Sequence, residues 1–198
     1  MKKLSLVVVA TFAAMSLWAQ HKPVLGLKAG VNVADWKVEN VDNSSLDSRV
    51  GFHVGALAHL HLSDKIGFQP EVLYSTQGAK NAGTDDTYKI DYINVPLMLQ
   101  YMFNNGFRIE AGPQFGFLIS AKDDFNGTEV DSKDDYKKTD VGLGFGLNYL
   151  SHSGLGIGAR YNLGVGNINN DGVNDINNRV FQASIFYMFD RAHKAKSR

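Results

Sequence analysis

The chain has no cysteine among its 198 residues. It can form no disulfide, build no thiolate metal site and carry no lipid on an N-terminal cysteine. It also lacks an apolar run of the roughly 20 residues that a membrane-spanning helix needs. Leu4 to Ala14 is the nearest approach. That stretch follows Lys2 and Lys3 and precedes Leu17-Trp18-Ala19, the pattern of a secretory signal cleaved after Ala19. An excess of one charge is missing too. Twenty basic residues meet twenty acidic ones, and without Lys2 and Lys3 the balance is 18 against 20, or −2. Such a balance offers no electrostatic footprint for nucleic acid.

What the chain does have is alternation. Apolar side chains take every second position from Val24 to Phe189, with glycine or polar residues between them. Val141-Gly142-Leu143-Gly144-Phe145-Gly146-Leu147 is one example and Phe181-Gln182-Ala183-Ser184-Ile185-Phe186-Tyr187 another. Successive side chains of a strand point to opposite faces, so each run carries one apolar and one polar face. Its recurrence in segment after segment predicts an all-β fold, an eight-stranded antiparallel transmembrane β-barrel of outer-membrane type, with lipid outside and a polar interior.

The strands are expected near Val24–Ala34, Arg49–Leu62, Ile66–Gln77, Tyr88–Phe103, Phe107–Ala121, Thr139–Leu150, Leu155–Gly166 and Arg179–Phe189. Between them, Ser63–Lys65, Asn104–Gly106 and Ser151–Gly154 are tight turns of residues suited to turn geometry. Trp36–Ser48, Gly78–Thr87, Lys122–Lys138 and Asn167–Asn178 are long and polar. With both termini in the periplasm, the short turns fall on that side and the long loops face outward. The domains are then a signal peptide (1–19), a barrel (20–189) and a basic C-terminal tail (190–198).

Outward positions include Leu27, Phe52, Leu60, Val72, Leu99, Phe117, Phe145, Ile157 and Ile185, with no charged residue among them. Inward fall Asn32, His53, His59, Gln69, Asn94, Gln100, Gln114, Asn148 and Asn162, together with five charges. Those five, Lys28, Glu71, Arg108, Glu110 and Arg160, are expected to pair in one network, since unpaired charges in a narrow low-dielectric space are costly. Interior glycines leave room for them, and Gly146 should lie opposite Arg160. Tyr101, Phe103, Phe107, Tyr149, Tyr187 and Phe189 read as an aromatic girdle at the periplasmic interface. A soluble lipocalin-like barrel would also alternate, but it would leave Arg160 and its polar partners in water.

Two segments resemble a known family. Tyr92-Ile93-Asn94-Val95-Pro96-Leu97-Met98-Leu99-Gln100-Tyr101 is similar to the central strand of the PorT-like outer-membrane β-barrel family. Ala159-Arg160-Tyr161-Asn162-Leu163-Gly164-Val165-Gly166 is similar to its penultimate strand. The resemblance implies a small outer-membrane barrel of the OmpA/OmpX type; some members are tied to protein secretion. The strand ending Tyr187-Met188-Phe189 also resembles the C-terminal signal read by the barrel-assembly machinery, although a basic tail follows it here.

Candidate chemistry is sparse. His59 and His61 share a face, but no further ligands are placed to complete a metal site. Asn167–Asp175 echoes a calcium loop, with Asn at its first position and Asn178 where the bidentate Glu belongs, so most of the binding charge is gone. His53 with Ser75 opposite lacks an orienting carboxylate. The expectation is therefore no catalytic, cofactor or metal residue and no enzymatic activity. The partners expected are outer-membrane lipid and lipopolysaccharide, the latter bridged by divalent cations to the acidic run Asp123 to Asp135. Function is expected in the surface loops, in surface interaction or envelope integrity. Secretion or small-solute transport is the alternative, and an outer-leaflet lipid-modifying enzyme is a further one.

Overall fold

The computed structural model describes residues 23–38, 46–84, 86–125, 127–170 and 174–189. The expected signal segment and the basic tail lie outside the described residues. Nine strands follow in order: β1 (Val24–Val38), β2 (Leu46–His61), β3 (Ile66–Asn81), β4 (Thr87–Met102), β5 (Phe107–Phe125), β6 (Thr128–Asp131), β7 (Thr139–Leu150), β8 (Leu155–Gly164) and β9 (Ile176–Met188). Every pairing is antiparallel, and eight of the strands form the wall. The wall closes on itself because β4 pairs with β5 and β1 with β9. A closed wall leaves no unpaired edge to face lipid, the condition for crossing a bilayer with strands.

Following the hydrogen-bonded partners around the wall gives its stagger. Met102 leads through Arg108, Asn148, Gly158, Ser184, Gly30, His53 and Ser75 to Tyr92. One circuit therefore returns to β4 ten residues earlier, 102 to 92. Eight strands enclose a lumen that side chains can fill.

The two faces separate as the alternation requires. Leu27, Phe52, Val72, Leu99, Phe145 and Ile185 are about half exposed, whereas Lys28, Glu71, Arg108, Glu110 and Arg160 are buried. This inverts a soluble barrel and removes the lipocalin-like alternative. Leu60 is the exception: it holds the outward register opposite Phe68 yet is only 5% exposed. At the periplasmic end the girdle aromatics touch in pairs, Tyr101 with Phe103 at 5.0 Å, Phe107 with Tyr149 at 5.2 Å and Tyr187 with Phe189 at 5.8 Å between ring centres. The turns there use Gly106 and Gly154 at φ of +91° and +89°, where a side chain would be strained.

At the opposite end polar pairs join neighbouring strands. The Arg179 Nε donates to Asp35 Oδ1 at 2.7 Å and the Tyr74 hydroxyl to Asp91 Oδ2 at 2.9 Å. Beyond them the strands continue further than the sequence suggests. Parts of all four expected loops are strand: Trp36–Val38, Leu46–Ser48, Gly78–Asn81, Lys122–Phe125 and Ile176–Asn178. The acidic run itself builds a ribbon, β6 folding back on β5 with Lys122 opposite Asp131. Lys89, on β4, reaches Asp124 and Glu129 at 2.8 Å each, and Lys122 reaches Glu129 at 2.9 Å. Alternating charge along the chain thus becomes cross-strand charge pairing.

Candidate functional site: a stratified lumen and the rim above it

The lumen is layered. Nearest the periplasm, Val24, Leu57, Leu150, Phe186 and Met188 pack into an apolar layer. Nearest the outside, Trp36, Ile90, Tyr92, Leu118, Tyr136 and Ile168 form a second one. Polar groups fill the space between. The interior is thus not polar throughout, as the alternation alone suggests: apolar layers cap it at both ends.

In the middle lies the charge network. Arg160 and Glu110 both flank Gly146, whose missing side chain leaves space for their contact. Arg160 Nε donates to Glu110 Oε1 at 2.7 Å. Its Nη1 and Nη2 reach across the lumen to Glu71 Oε2 and Oε1 at 2.9 and 2.7 Å. This is a bidentate guanidinium–carboxylate pair, the geometry in which a buried ion pair recovers most of its desolvation cost. Lys28 Nζ adds 3.2 Å contacts to both Glu71 oxygens, and Gln69 Nε2 donates to Glu71 at 2.8 Å. The structure therefore brings together Lys28, Glu71, Glu110 and Arg160. Arg108 stands one step away. Its Nη1 donates to Gln100 Oε1 at 3.4 Å, and Gln100 Nε2 donates to Glu110 Oε2 at 2.9 Å.

Toward the outside, bare Gly30 lets His53 cross β1. His53 Nδ1 lies 2.7 Å from Asn32 Oδ1, and Nε2 lies 2.9 Å from Ser184 Oγ. The Asn32 amide is oriented by its donation to the carbonyls of Phe52 and Thr76, at 3.0 and 2.9 Å. Its Oδ1 must then accept from His53 Nδ1–H, so Nε2 accepts from the Ser184 hydroxyl. Ser75 sits opposite His53 as expected, but the histidine turns to Ser184 instead. The relay of Ser184, His53 and Asn32 has the connectivity of a hydrolytic triad. His53 and Asn32 are 1% and 0% exposed, so as described the relay serves as an interior hydrogen-bond strut.

His59 is buried beside His61, with ring centres 4.7 Å apart and edge to face. Among the described residues no group of three His, Cys, Asp or Glu residues is arranged to hold a metal. The loop that echoes a calcium site uses its first residue as a strut: Asn167 Oδ1 accepts from the amides of Asn169 and Ile176 at 2.8 and 3.0 Å. Residues 171–173 of that loop lie outside the described residues.

Two loop segments close the mouth. Lys137 N donates to Ile168 O at 2.8 Å and Asn170 N to Asp135 O at 2.9 Å, and Tyr136 bridges Asn169. This draws Tyr136 and Ile168 down onto the outer apolar layer, where they are 8% and 0% exposed. Above them the β5–β6 ribbon projects with Phe125 and Val130 exposed.

Comparisons with known proteins agree with this geometry. A family model described as "Outer membrane protein beta-barrel domain" matches residues 18–170. Neisserial surface protein A has a similar solved structure, with a TM-score of 0.55 and 18% identity over 83% of this chain and 97% of that one. Ail, the attachment invasion locus protein of Yersinia pestis, gives 0.51 and 16% over 85% of this chain and all of its own. Ail in complex with the heparin analogue sucrose octasulfate gives 0.50 and 14%, with the same coverage. No curated protein matches by sequence.

Proposed function

The chain belongs to the outer-membrane protein β-barrel domain family, and from that premise we propose that it works through its extracellular rim and not through its lumen. Its place is the bacterial outer membrane. The single observation that carries the reading is the occluded lumen: an apolar layer at each end and a paired charge network between them. An interior of this kind supports the wall, and it leaves the β5–β6 ribbon and the joined loops at the mouth as the parts presented to the surroundings.

The rim suits surface contact. It offers exposed Phe125 and Val130 beside paired lysines and carboxylates, a combination of apolar and charged groups that suits adhesion to a macromolecule. Its acidic residues can also meet lipopolysaccharide phosphates through divalent cations, which would tie the barrel into envelope integrity. His53 and Asn32 of the Ser184–His53–Asn32 relay are buried and serve the wall as struts, so the proposal includes no catalytic step. Membership of the PorT-like group, with its tie to secretion, rests on the two strand motifs alone, and the occlusion speaks against small-solute transport.

Ail forms a complex with a heparin analogue, which makes sulfated polysaccharide the first probe to try. Replacing Asp124–Val130 by a short Gly–Ser turn should leave a folded barrel, seen as a gel band that shifts on boiling. In millimolar calcium, which lets the rim carboxylates meet sulfate groups, cells carrying that variant should adhere less to heparin-coated surfaces than cells carrying the native chain. Equal adhesion by a correctly inserted ribbon-less variant would contradict the proposal.

A further inference from the structure

The charges of the buried network do not balance. Lys28, Arg108 and Arg160 bring three positive charges, and Glu71 and Glu110 bring two negative ones. Arg160 engages both carboxylates, and Lys28 shares Glu71. Arg108 is the cation left over. It is 5% exposed, and among the described residues no carboxylate forms an ion pair with it. Glu110, two residues along β5, is turned to Arg160 and Gln100. Asp140, a further inward carboxylate, stands eight residues from Asn148 at the other end of β7, roughly 26 Å along the strand. A guanidinium has five N–H donors, and that of Arg108 makes its hydrogen bond to Gln100 Oε1 at a long 3.4 Å. A buried cation in this position is costly without a counter-charge.

A second donor stands beside it. Asn148 on β7 is the direct cross-strand partner of Arg108, on the same inward face. Side chains so paired begin only about 4.5–5.5 Å apart. Asn148 is buried, and its Nδ2 has no hydrogen-bond partner. Its Oδ1 rests against bare Gly158, the paired residue on β8, so Nδ2 is the end that faces away from that strand. Two neighbouring groups therefore offer donors, one of them charged, and buried donors are rarely left unused. The unpartnered acceptor Gln69 Oε1 belongs to the next level up, opposite Met98 on β4.

We propose that Arg108 and Asn148 bind a phosphate group at the periplasmic end of the lumen. The planar guanidinium matches two oxygens of such a group through parallel N–H bonds, and the Asn148 amide supplies a donor to a third. One negative charge there neutralises the surplus cation of the network. Arg108 is the first inward residue of β5, next to the Asn104–Gly106 turn, whereas the inner apolar layer draws its members from β1, β2, β7 and β9. The phosphate group enters on that β5 side, from the periplasm. It comes from free phosphate or from the headgroup of a phospholipid in the periplasmic leaflet, and the chemistry at Arg108 is the same for both. The site is separate from the rim and stands whether or not the rim is adhesive.

The test uses the full refolded barrel in a non-ionic detergent and a phosphate-free buffer of constant ionic strength. One arm adds inorganic phosphate and the other adds phosphatidylglycerol to the micelles. In at least one arm the native barrel should unfold about 3–5 °C higher once the probe reaches about ten times its dissociation constant. A rise with inorganic phosphate assigns the free anion, and a rise with phosphatidylglycerol alone assigns the headgroup. Arg108→Gln should lose the rise, whereas a general salting effect of phosphate would act on both chains equally. Asn148→Ala, which alters no charge, should weaken binding severalfold and serves where Arg108→Gln fails to fold. Lys65→Gln, which removes an exposed charge from a turn at the same end, should leave the rise intact. No rise in either arm would mean that water alone meets these donors and would overturn the proposal. So would an equal rise in Arg108→Gln, unweakened binding in Asn148→Ala, or loss of the rise in Lys65→Gln.

Discussion

Arg160 is the residue on which the interior turns, since one guanidinium on β8 holds two carboxylates, Glu110 on β5 and Glu71 across the lumen on β3. Replacing it by Met leaves Glu110 without a paired cation, held only by the Gln100 amide, and leaves Glu71 to Lys28 and Gln69. A loss of about 3–5 kcal/mol is expected from breaking a buried pair on one side. Arg108, which reaches the network only through Gln100, should cost about 1–2 kcal/mol when changed to Met. Urea unfolding of the two variants checks the order, and an equal or reversed ranking would show that the network is not centred on Arg160. Gly146 supplies an uncharged counterpart. A Cβ there would lie 2.7 Å from Glu110 Oε1 and 2.9 Å from the Ala159 carbonyl oxygen, so Gly146→Val should destabilise by about 1–3 kcal/mol although it removes no charged group. These residues were legible in the sequence by parity: a charge between two apolar neighbours must face inward. Which acid met which base was not, because a cross-lumen contact such as Arg160 with Glu71, 89 positions apart, depends on the stagger and not on any local pattern.

Among the elements, the eight wall strands were readable because period-two alternation survives along each of them, and the glycine-bearing turns mark their periplasmic ends. Their outer ends were not. Past the membrane a strand needs no lipid-facing apolar residue, so Lys122–Phe125 and β6 look like a solvated acidic loop until Lys89 and Lys122 are seen beside Asp124 and Glu129. Hydrogen bonds from Lys89 and then Lys122 hold the Glu129 carboxyl down to about 2, and Lys89 holds Asp124 below its usual value. Depressed carboxylates contribute stability that is present above their unfolded pKa, about 4.5 for Glu129, and lost as pH falls toward about 2. The ribbon should therefore stay paired at pH 6 and loosen between pH 4.5 and 2, while the wall, its pairs enclosed, persists. Amide exchange at Val130 followed through that range checks this; a ribbon whose protection fades only above neutral pH would not be held by these carboxylates. The gain per pair is modest, as exposed ion pairs are.

For the whole molecule, closure, the inverted faces and the girdle make the orientation testable in a chain that has no cysteine of its own. Single cysteines at Thr84 and Gly127 should react with a membrane-impermeant thiol reagent on intact cells. Those at Asp64, Asn105 and Ser153 should react only once the outer membrane is broken. Barrel type was plain from the alternation, but the occlusion was legible only in part. The polar filling follows from parity, whereas the outer seal depends on Tyr136 and Ile168 being drawn together from two loops. Action at the rim rests on that seal, and planar-bilayer recording tests it most directly. The account predicts no steady, well-defined conductance from the purified native barrel, and none gained on changing Arg108. A stable open channel whose ion selectivity shifts with Arg108→Ala would contradict it.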